Sequence, residues 1–372
     1  MDKSLSRLTI RGFKSILELE DFELKNLNVL VGANGAGKSN FISFFKMLHH
    51  LMDGNLDDHV RDNGGIGDIL YNGRERATKM IFDMSFWEKY GYRFTINPTT
   101  NNCVALSAEA RLYRDGSTGW WELDDSNNAS SSLVKHAKAN LPDSKFSQYV
   151  YDMIMSWKIY HFHDTNSTTP MRGWQSIEDN GTLRSNASNI ASFLYYLREK
   201  YQTEYKEILN ACQIVVPYLK DFLLKEQTYG KNGDEIKVKL SWRTKSSDYP
   251  MQPHHLSDGS IRFICLATAL LQPNPPSTLI IDEPELGLHP EAIHIIGELI
   301  NAAAKRTQVI IATQSPLLLD QFNIEDIVVV NRKDDQSVFE RLNENDFDKW
   351  LEDYSVGELW TKNIIRGGVC HE

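Results

Sequence analysis

The eight residues Gly32-Ala33-Asn34-Gly35-Ala36-Gly37-Lys38-Ser39 fit the pattern G-x-x-x-x-G-K-[S/T] in full. The chemistry open to such a run is the holding of phosphate. Glycine is required where a backbone N–H must turn toward an anion and a Cβ would clash, or where φ is positive. A helix starting at the lysine aims its positive dipole end at the same anion. Lys38 can then reach the β/γ oxygens of a nucleotide, and the Ser39 hydroxyl can ligate Mg2+. Gly32, Asn34, Gly35, Gly37, Lys38, Ser39 and Asn40 are therefore the expected nucleotide contacts. The competing reading is a plain glycine turn, and the flanking sequence weighs against it. LNVLVG before the loop is a short β-rich run that stops at glycine. NFISFFKMLHHL after it carries Phe41, Ile42, Phe44, Phe45 and Leu48 at helical spacing.

A second constellation is Thr278-Leu279-Ile280-Ile281-Asp282-Glu283-Pro284. An apolar strand ending in two acids is what nucleotide hydrolysis needs at the rim of a parallel sheet, beside the phosphate loop. Asp282 would hold the magnesium shell, directly or through water. Glu283 would orient or deprotonate the attacking water as general base. Alone, an acid pair at a strand end is commonplace; the phosphate loop elsewhere in the chain gives it meaning. Leu256-Ser257-Asp258-Gly259-Ser260 forms a third, just before the apolar helix IRFICLATALLQ, with Ser257 preceding Asp282 by 25 residues. Ser257 and the amides around Gly259 would make an anion site at a helix N-terminus, unless Ser257 is simply an N-cap.

LSDGS resembles the ABC-ATPase signature LSGGQ, with Asp258 and Ser260 in place of the second glycine and the glutamine. ELGLHP, Glu285 to Pro290, stands where ABC proteins carry the D-loop. Ala312-Thr313-Gln314-Ser315-Pro316 stands where their switch histidine is found, which puts Gln314 beside Glu283 in the catalytic set. A glutamine amide can donate to a γ-phosphate but cannot carry charge or shuttle a proton, so hydrolysis is expected to be slow. With RGFKS at 11–15, the chain resembles ABC ATPases of the SMC, RecF and OLD type, above all compact bacterial AAA-family ATPases built like an ABC head.

The resemblance implies an α/β fold, an ABC-type head of the P-loop NTPase class with a mixed sheet, an antiparallel β-lobe and a helical insertion. Residues 1–52 and 251–330 are expected to form the nucleotide-binding core, 78–124 the β-lobe, 146–250 the helical insertion and 331–372 a C-terminal tail. It implies ATP and Mg2+ as ligands, and a homodimer in which Ser257 and Gly259 of one chain clamp the nucleotide held by the other. A glutamine-loop ligand should lie near YHFHDTNSTTPMRGWQS, where Gln175, His161, His163 and Asp164 are the candidates. Only 56 residues follow TQSP, too few for the Toprim nuclease of OLD proteins, so an effector nuclease or toxin would act in trans. Relatives of this kind sit in phage-defence settings, which implies an ATP-gated switch over an effector; the alternative is a RecF-type repair ATPase that engages DNA directly.

The elements that must position these residues are legible in part. Residues 5–31 read as two or three short strands, 53–73 as a glycine- and aspartate-rich surface loop, and 78–124 as alternating antiparallel strands. Helical spacing dominates 146–157 and 188–224, with Pro217 breaking the second stretch. A charged strand pair is expected near 235–243, a helix at 291–305, and strands with short helices after 322. The 41% hydrophobic and 24% charged content argues against wholesale disorder. No apolar run is long enough to span a bilayer and the first residues lack a secretory core, which points to the cytoplasm. Cys103, Cys212, Cys265 and Cys370 form no CxxC pair, which excludes a zinc ribbon and a disulfide framework. A net charge of −10 confines any DNA contact to local patches, with Arg74, Arg76 and Lys79, Lys305 and Arg306, and Arg332 and Lys333 as candidates. Phe347, Trp350, Leu351, Tyr354, Leu359 and Trp360 in the tail are spaced to dock a helix on the core, or to face a partner.

Overall fold

The computed structural model describes residues 4–87, 89–100, 102–113, 119–123, 129–139, 144–230 and 235–365. Two six-stranded sheets organise it. The first is antiparallel and contains β1 (Leu5–Phe13), β2 (Ile16–Glu23), β4 (Met80–Phe86), β5 (Tyr90–Pro98), β6 (Val104–Tyr113) and β7 (Trp120–Glu122) in the order β2-β1-β4-β5-β6-β7. The second contains β3 (Leu27–Val31), β8 (Lys158–Tyr160), β15 (Thr278–Asp282), β16 (Gln308–Thr313), β17 (Ile327–Lys333) and β18 (Gln336–Arg341), in the order β18-β17-β3-β16-β15-β8. Its ladders are parallel except β17–β18. Both faces are covered, so its strands read as unbroken apolar runs rather than alternating ones. The pleat then divides the side chains. Val29, Val31, Leu279, Ile281, Val309 and Ile311 join one core cluster, while Leu30, Ile280, Ile310 and Ala312 join another.

Helix α1 (Lys38–Asp53) fills the second cluster with phenylalanine. Phe44 stacks on Phe82 of β4 at 5.3 Å, Phe41 meets Phe339 of β18 at 5.3 Å, and Phe45 meets Trp157 at 5.1 Å. The helix that starts at the phosphate loop is thereby wedged between the two sheets. On the other side of the parallel sheet, α6 (Ile190–Lys200), α7 (Gln202–Val215), α8 (Asp258–Leu271) and α9 (Pro290–Ala304) bury their apolar faces in the first cluster.

The strands expected over 78–124 are present, but β4 pairs with β1, so they extend the N-terminal hairpin rather than standing apart. The stretch expected as a surface loop is helical: α2 (Leu56–Asp62) and α3 (Ile66–Ile69) bury Leu56, Val60, Ile66 and Ile69. Its aspartates and glycines are compatible with burial because the glycines are grouped at the turn, Gly64 and Gly65 having φ of 87° and 93°. Within 146–250 lie most of α5 (Lys145–Ser156), which follows α4 (Ser132–Lys138), then α6 and α7. The same segment gives β8 to the parallel sheet. It also builds two three-stranded sheets, β10 (Leu219–Leu223) with β13 (Ser241–Thr244) and β14 (Ser247–Met251), and β11 (Gln227–Tyr229) with β12 (Glu235–Val238) and β9 (Gln175–Ser176). The helical reading of 188–224 thus stops at Val215, ahead of Pro217, and β12 and β13 belong to different sheets rather than pairing.

After β16 the chain forms α10 (Pro316–Leu319), then β17, β18, α11 (Asp348–Leu351) and α12 (Val356–Thr361). Leu359 is buried, and Phe347, Leu351, Tyr354 and Trp360 pack against the first cluster. The tail aromatics are thus half-buried against the core, apart from Trp350, which is 46% exposed.

Candidate functional site

The carboxyl ends of β3, β16 and β15 lie side by side, and β16 stands between the other two. That order sets the geometry: the loop after β3 is separated from Asp282 and Glu283 by the end of β16, which delivers Thr313 and Gln314 into the gap. An open parallel sheet receives its ligand at this edge.

The loop has the backbone that the glycine spacing demands. Gly35 and Gly37 have φ of 79° and 118°, and a Cβ on Gly32 would stand 2.2 Å from the carbonyl oxygen of Val330. At Gly35 there is open space instead, and Asn34, Gly35 and Ser39 are exposed. Lys38 is buried, and its Nζ donates to the carbonyls of Gly32 at 2.5 Å and Ala33 at 3.1 Å. Burial lowers its pKa, opposed by the charges of Glu283, Asp282 and Glu285. The ammonium thus folds back on its own loop, within the field of the acids it must balance.

A hydroxyl chain braces the loop from beneath. Asn40 Nδ2 donates to Ser15 Oγ at 2.8 Å, Ser15 Oγ lies 2.7 Å from Ser337 Oγ, and Ser337 Oγ lies 2.6 Å from the Ala36 carbonyl oxygen. Ser337 Oγ is the donor to both Ser15 Oγ and the Ala36 carbonyl, so its single proton is shared between the two. Ser337 is fully buried on β18, and a Cβ on Gly37 would stand 2.0 Å from its oxygen. Sequence reasoning missed Ser337. Its only sequence signal is a small polar residue in a strand hundreds of residues from the loop it supports.

At the end of β15, Asp282 is half-buried, and burial raises its pKa; Glu283 adds to this, while His163, Lys46 and Lys38 oppose it. Glu283 follows with φ of 46°, a left-handed conformation rare for a residue with a Cβ. Its N–H donates to the Ala312 carbonyl at 2.8 Å, so the strand pairing extends one residue past the bend. Gln314 Nε2 donates to Asn34 Oδ1 at 2.7 Å and to Glu283 Oε1 at 3.2 Å. Glu285 Oε1 accepts from Thr313 Oγ1 at 2.6 Å and from the Gln314 N–H at 3.1 Å. Phosphate loop, acid pair and the 312–316 segment therefore form one connected cluster.

Ser257 and Gly259 lie elsewhere. Ser257 caps α8, its Oγ accepting from the Ser260 N–H at 3.1 Å. Both the N-cap reading and the exposed helix terminus hold. Among the described residues no hydrogen bond joins 257–260 to 32–39. Instead Gly259 packs on the loop that leaves Glu283: a Cβ there would stand 2.6 Å from the Gly287 carbonyl oxygen. Arg262 donates to the carbonyls of Leu286, Phe162 (2.8 Å) and His163 (2.9 Å). Arg172, also buried, donates to the carbonyls of Pro253 (2.5 Å) and Leu256 (3.0 Å) and pairs with Asp258 at 2.8 Å. The aspartate that replaces a signature glycine thus has a fixed guanidinium partner.

The family model described as "AAA domain, putative AbiEii toxin, Type IV TA system", AAA_21, matches residues 27–320, which contain the phosphate loop, the acid pair and the capped α8. The chain belongs to this family. Its fold is that of the P-loop NTPase class. The fold is similar to the Smc head bound to the C-winged helix domain of ScpA, at a TM-score of 0.55 and 14% identity, covering 93% of this chain and 99% of that one. It is similar too to the Smc head with an extended coiled coil bound to the C-terminal domain of ScpA derived from Pyrococcus furiosus, at a TM-score of 0.54 and 13% identity, covering 94% and 98%. Among curated proteins, the energy-coupling factor transporter ATP-binding protein EcfA2 of Ligilactobacillus salivarius is 29% identical over 117 residues, 30% of this chain and 40% of that protein's length.

The Ser39 hydroxyl and the Asp282 carboxylate are oxygen donors of the kind that would fit a magnesium ion. Mg2+ keeps several waters and takes one or two carboxylates plus substrate phosphates, rather than a protein cage. No group of three or more His, Cys, Asp or Glu suited to a metal occurs among the described residues. Gln175 is excluded as a ligand here. It is buried, its Oε1 accepts from the N–H groups of Ala191 and Ser192 at 2.7 and 3.2 Å, and its Nε2 donates to Pro170 at 3.1 Å. Its amide is spent on the first turn of α6. His163 instead lines one small cleft with Arg262, Asp282 and Glu283. Among the basic candidates, Arg74 donates to Thr99 O at 2.9 Å and Arg306 to Leu270 O at 2.7 Å, so both hold loops. Cys212 and Cys265 are free buried thiols, and Cys370 lies outside the described residues. Among the described residues no helix is long and apolar enough to cross a membrane.

Proposed function

We propose that the protein is an ATP-driven switch in which two chains close around two nucleotides. The observation that carries this is the split of the site. Lys38, Ser39 and Asp282 cluster at one sheet edge, while the capped α8 terminus is exposed and meets the loop leaving Glu283 through the Gly259–Gly287 contact and the Arg262 bond to Leu286. One chain offers a phosphate loop that lacks a clamp, and a clamp that lacks a phosphate loop; a second copy supplies both deficits. Lys38 and the loop amides would bind the β/γ-phosphates, and Ser39 and Asp282 would hold the magnesium shell. That ion would neutralise charge on the transferred phosphoryl group. Glu283 would take the proton of the attacking water, and Gln314 would orient the terminal phosphate as a neutral donor, which favours slow turnover.

Because Gly259 rests on the loop leaving Glu283, closure on a partner's nucleotide is felt at a chain's own catalytic carboxylate. Binding energy would drive closure, and hydrolysis would reopen the pair. The family description names a toxin–antitoxin system. We place the chain in that setting, as a gate that holds and releases an effector protein in anti-phage defence. Glu283→Gln should bind ATP, fail to hydrolyse it and accumulate as a dimer by light scattering. A Glu283→Gln protein that stays monomeric with saturating ATP overturns the reading.

A further inference from the structure

On the flank of α1, between that helix, β8 and the 182–188 segment, lies a half-open groove of about 650 Å³. Lys46, His49, His50, Lys158, His161 and Arg184 line it, and no carboxylate does. In a chain of net charge −10 this is a pronounced segregation of positive and imidazole groups. Arg184 is held by Asp179 at 2.8 Å and His49 Nε2 lies 3.0 Å from the Trp157 carbonyl oxygen. Lys46 and Lys158 have no ion pair among the described residues.

The imidazoles of His49, His50 and His161 stand beside Lys46 and Lys158 in that lining, so the groove offers its chemistry to an acceptor that carries negative charge.

We propose that this groove is a second anion site, and that it takes a phosphate ester of nucleotide size, either a free nucleotide or the 5′-phosphorylated end of a nucleic-acid strand. The volume is that of a small-ligand pocket. Lys46 and Lys158 supply the point charges that phosphate recognition uses, and the histidines beside them add polar ring nitrogens. The site shares no residue with Gly32–Asn40 or Leu256–Ser260, so it goes beyond the ATP switch and stands independently of it. It is nonetheless within reach of that switch: the His161 ring lies 5.7 Å from the His163 ring, which shares a cleft with Asp282. A phosphate in the groove would alter the field at the magnesium carboxylate.

The test uses the full chain carrying Lys38→Ala, which silences the first phosphate loop. Fluorescence anisotropy at low salt follows 3′-labelled hexathymidylate with and without a 5′-phosphate. The 5′-phosphate should tighten binding at least tenfold, and Lys46→Gln with Lys158→Gln should abolish that gain. If the double variant melts early, His161→Phe provides the same comparison. Competition by AMP assigns the site to free nucleotides, and retention against AMP assigns it to strand ends. No phosphate-dependent binding, a gain unchanged in the variants, or equal competition by a hexaglutamate peptide overturns the proposal. ATP binding is measured separately on protein with Lys38 intact, so failure here is distinguishable from failure of the switch.

Discussion

The side-chain amide of Gln314 spans Asn34 and Glu283, donating at 2.7 Å to the first and 3.2 Å to the second. Both N–H groups of one amide are used, so the residue after β16 ties the phosphate loop to the acid that follows β15. Glu283 is thereby held by two constraints, its left-handed backbone and this hydrogen bond.

Removing the amide should leave binding and damage chemistry. Gln314→Ala should lower ATP turnover about tenfold, equivalent to about 1.4 kcal/mol of barrier, with nucleotide affinity nearly unchanged. Steady-state phosphate release beside a nucleotide titration separates the two. Turnover at the original rate would show that the amide has no part in the reaction.

Lys38 is the one cation inside the loop, and its ammonium donates to the carbonyls of Gly32 and Ala33. Lys38→Ala should cost about 3 kcal/mol of nucleotide binding, on the order of a hundredfold in affinity. Unchanged affinity for a fluorescent ATP analogue contradicts the phosphate-loop assignment.

The hydroxyl chain under the loop predicts a cost at a distance. Ser337→Ala removes the bond to Ala36 and leaves a buried carbonyl unpaired, which should lower stability by about 1 kcal/mol and weaken ATP binding. Gly37→Ala should be worse, since its Cβ would collide with Ser337 at a φ that alanine disfavours. Urea unfolding measures the first effect. Nucleotide titration of both proteins measures the second, and wild-type affinity in either would remove the brace from the account.

Glu285 is half-buried, and its Oε2 has no hydrogen-bond partner among the described residues. Burial raises its pKa, against the bonds from Thr313 and Gln314. The protonated form therefore favours the fold: that contribution is complete below the ordinary value of 4.5 and is lost as pH rises through the raised folded-state value. Glu285→Gln imitates the protonated carboxyl, so its stability advantage over the wild type should grow from pH 4.5 upward, to on the order of 1 kcal/mol near neutrality. A stability difference that stays flat from pH 4.5 to 8 contradicts the charge-burial argument.

The parts of the site that lie along the chain were legible in sequence. Glycine spacing disclosed the loop after β3, the apolar run with two acids disclosed β15, and a serine ahead of an apolar helix disclosed the α8 cap. What stayed hidden depends on which distant segments meet. β16 lies between β3 and β15, a neighbour order no local pattern encodes, and only that order explains why Gln314 bridges Asn34 and Glu283. No local pattern marks Arg172, whose partners Asp258, Pro253 and Leu256 lie more than eighty residues along the chain. Gln175 was expected near the metal because glutamine is scarce in that stretch, yet capping α6 consumes its amide. The loop reading of 53–73 failed for a related reason: composition was weighed ahead of the buried Leu56, Val60, Ile66 and Ile69.

The central claim, that each nucleotide is enclosed by two chains, is tested most directly by mixing two inactive proteins. Lys38→Ala lacks the phosphate loop's ammonium, and Ser257→Arg blocks the α8 terminus while its own phosphate loop still binds ATP. Neither should hydrolyse ATP alone. A mixed dimer joins one intact phosphate loop to one intact clamp, so equimolar mixing should restore activity toward the one-quarter that random pairing with one working site of two allows. If the mixture stays as inactive as its components while both proteins remain folded and able to associate, or if Ser257→Arg alone hydrolyses at the wild-type rate, the shared site is contradicted.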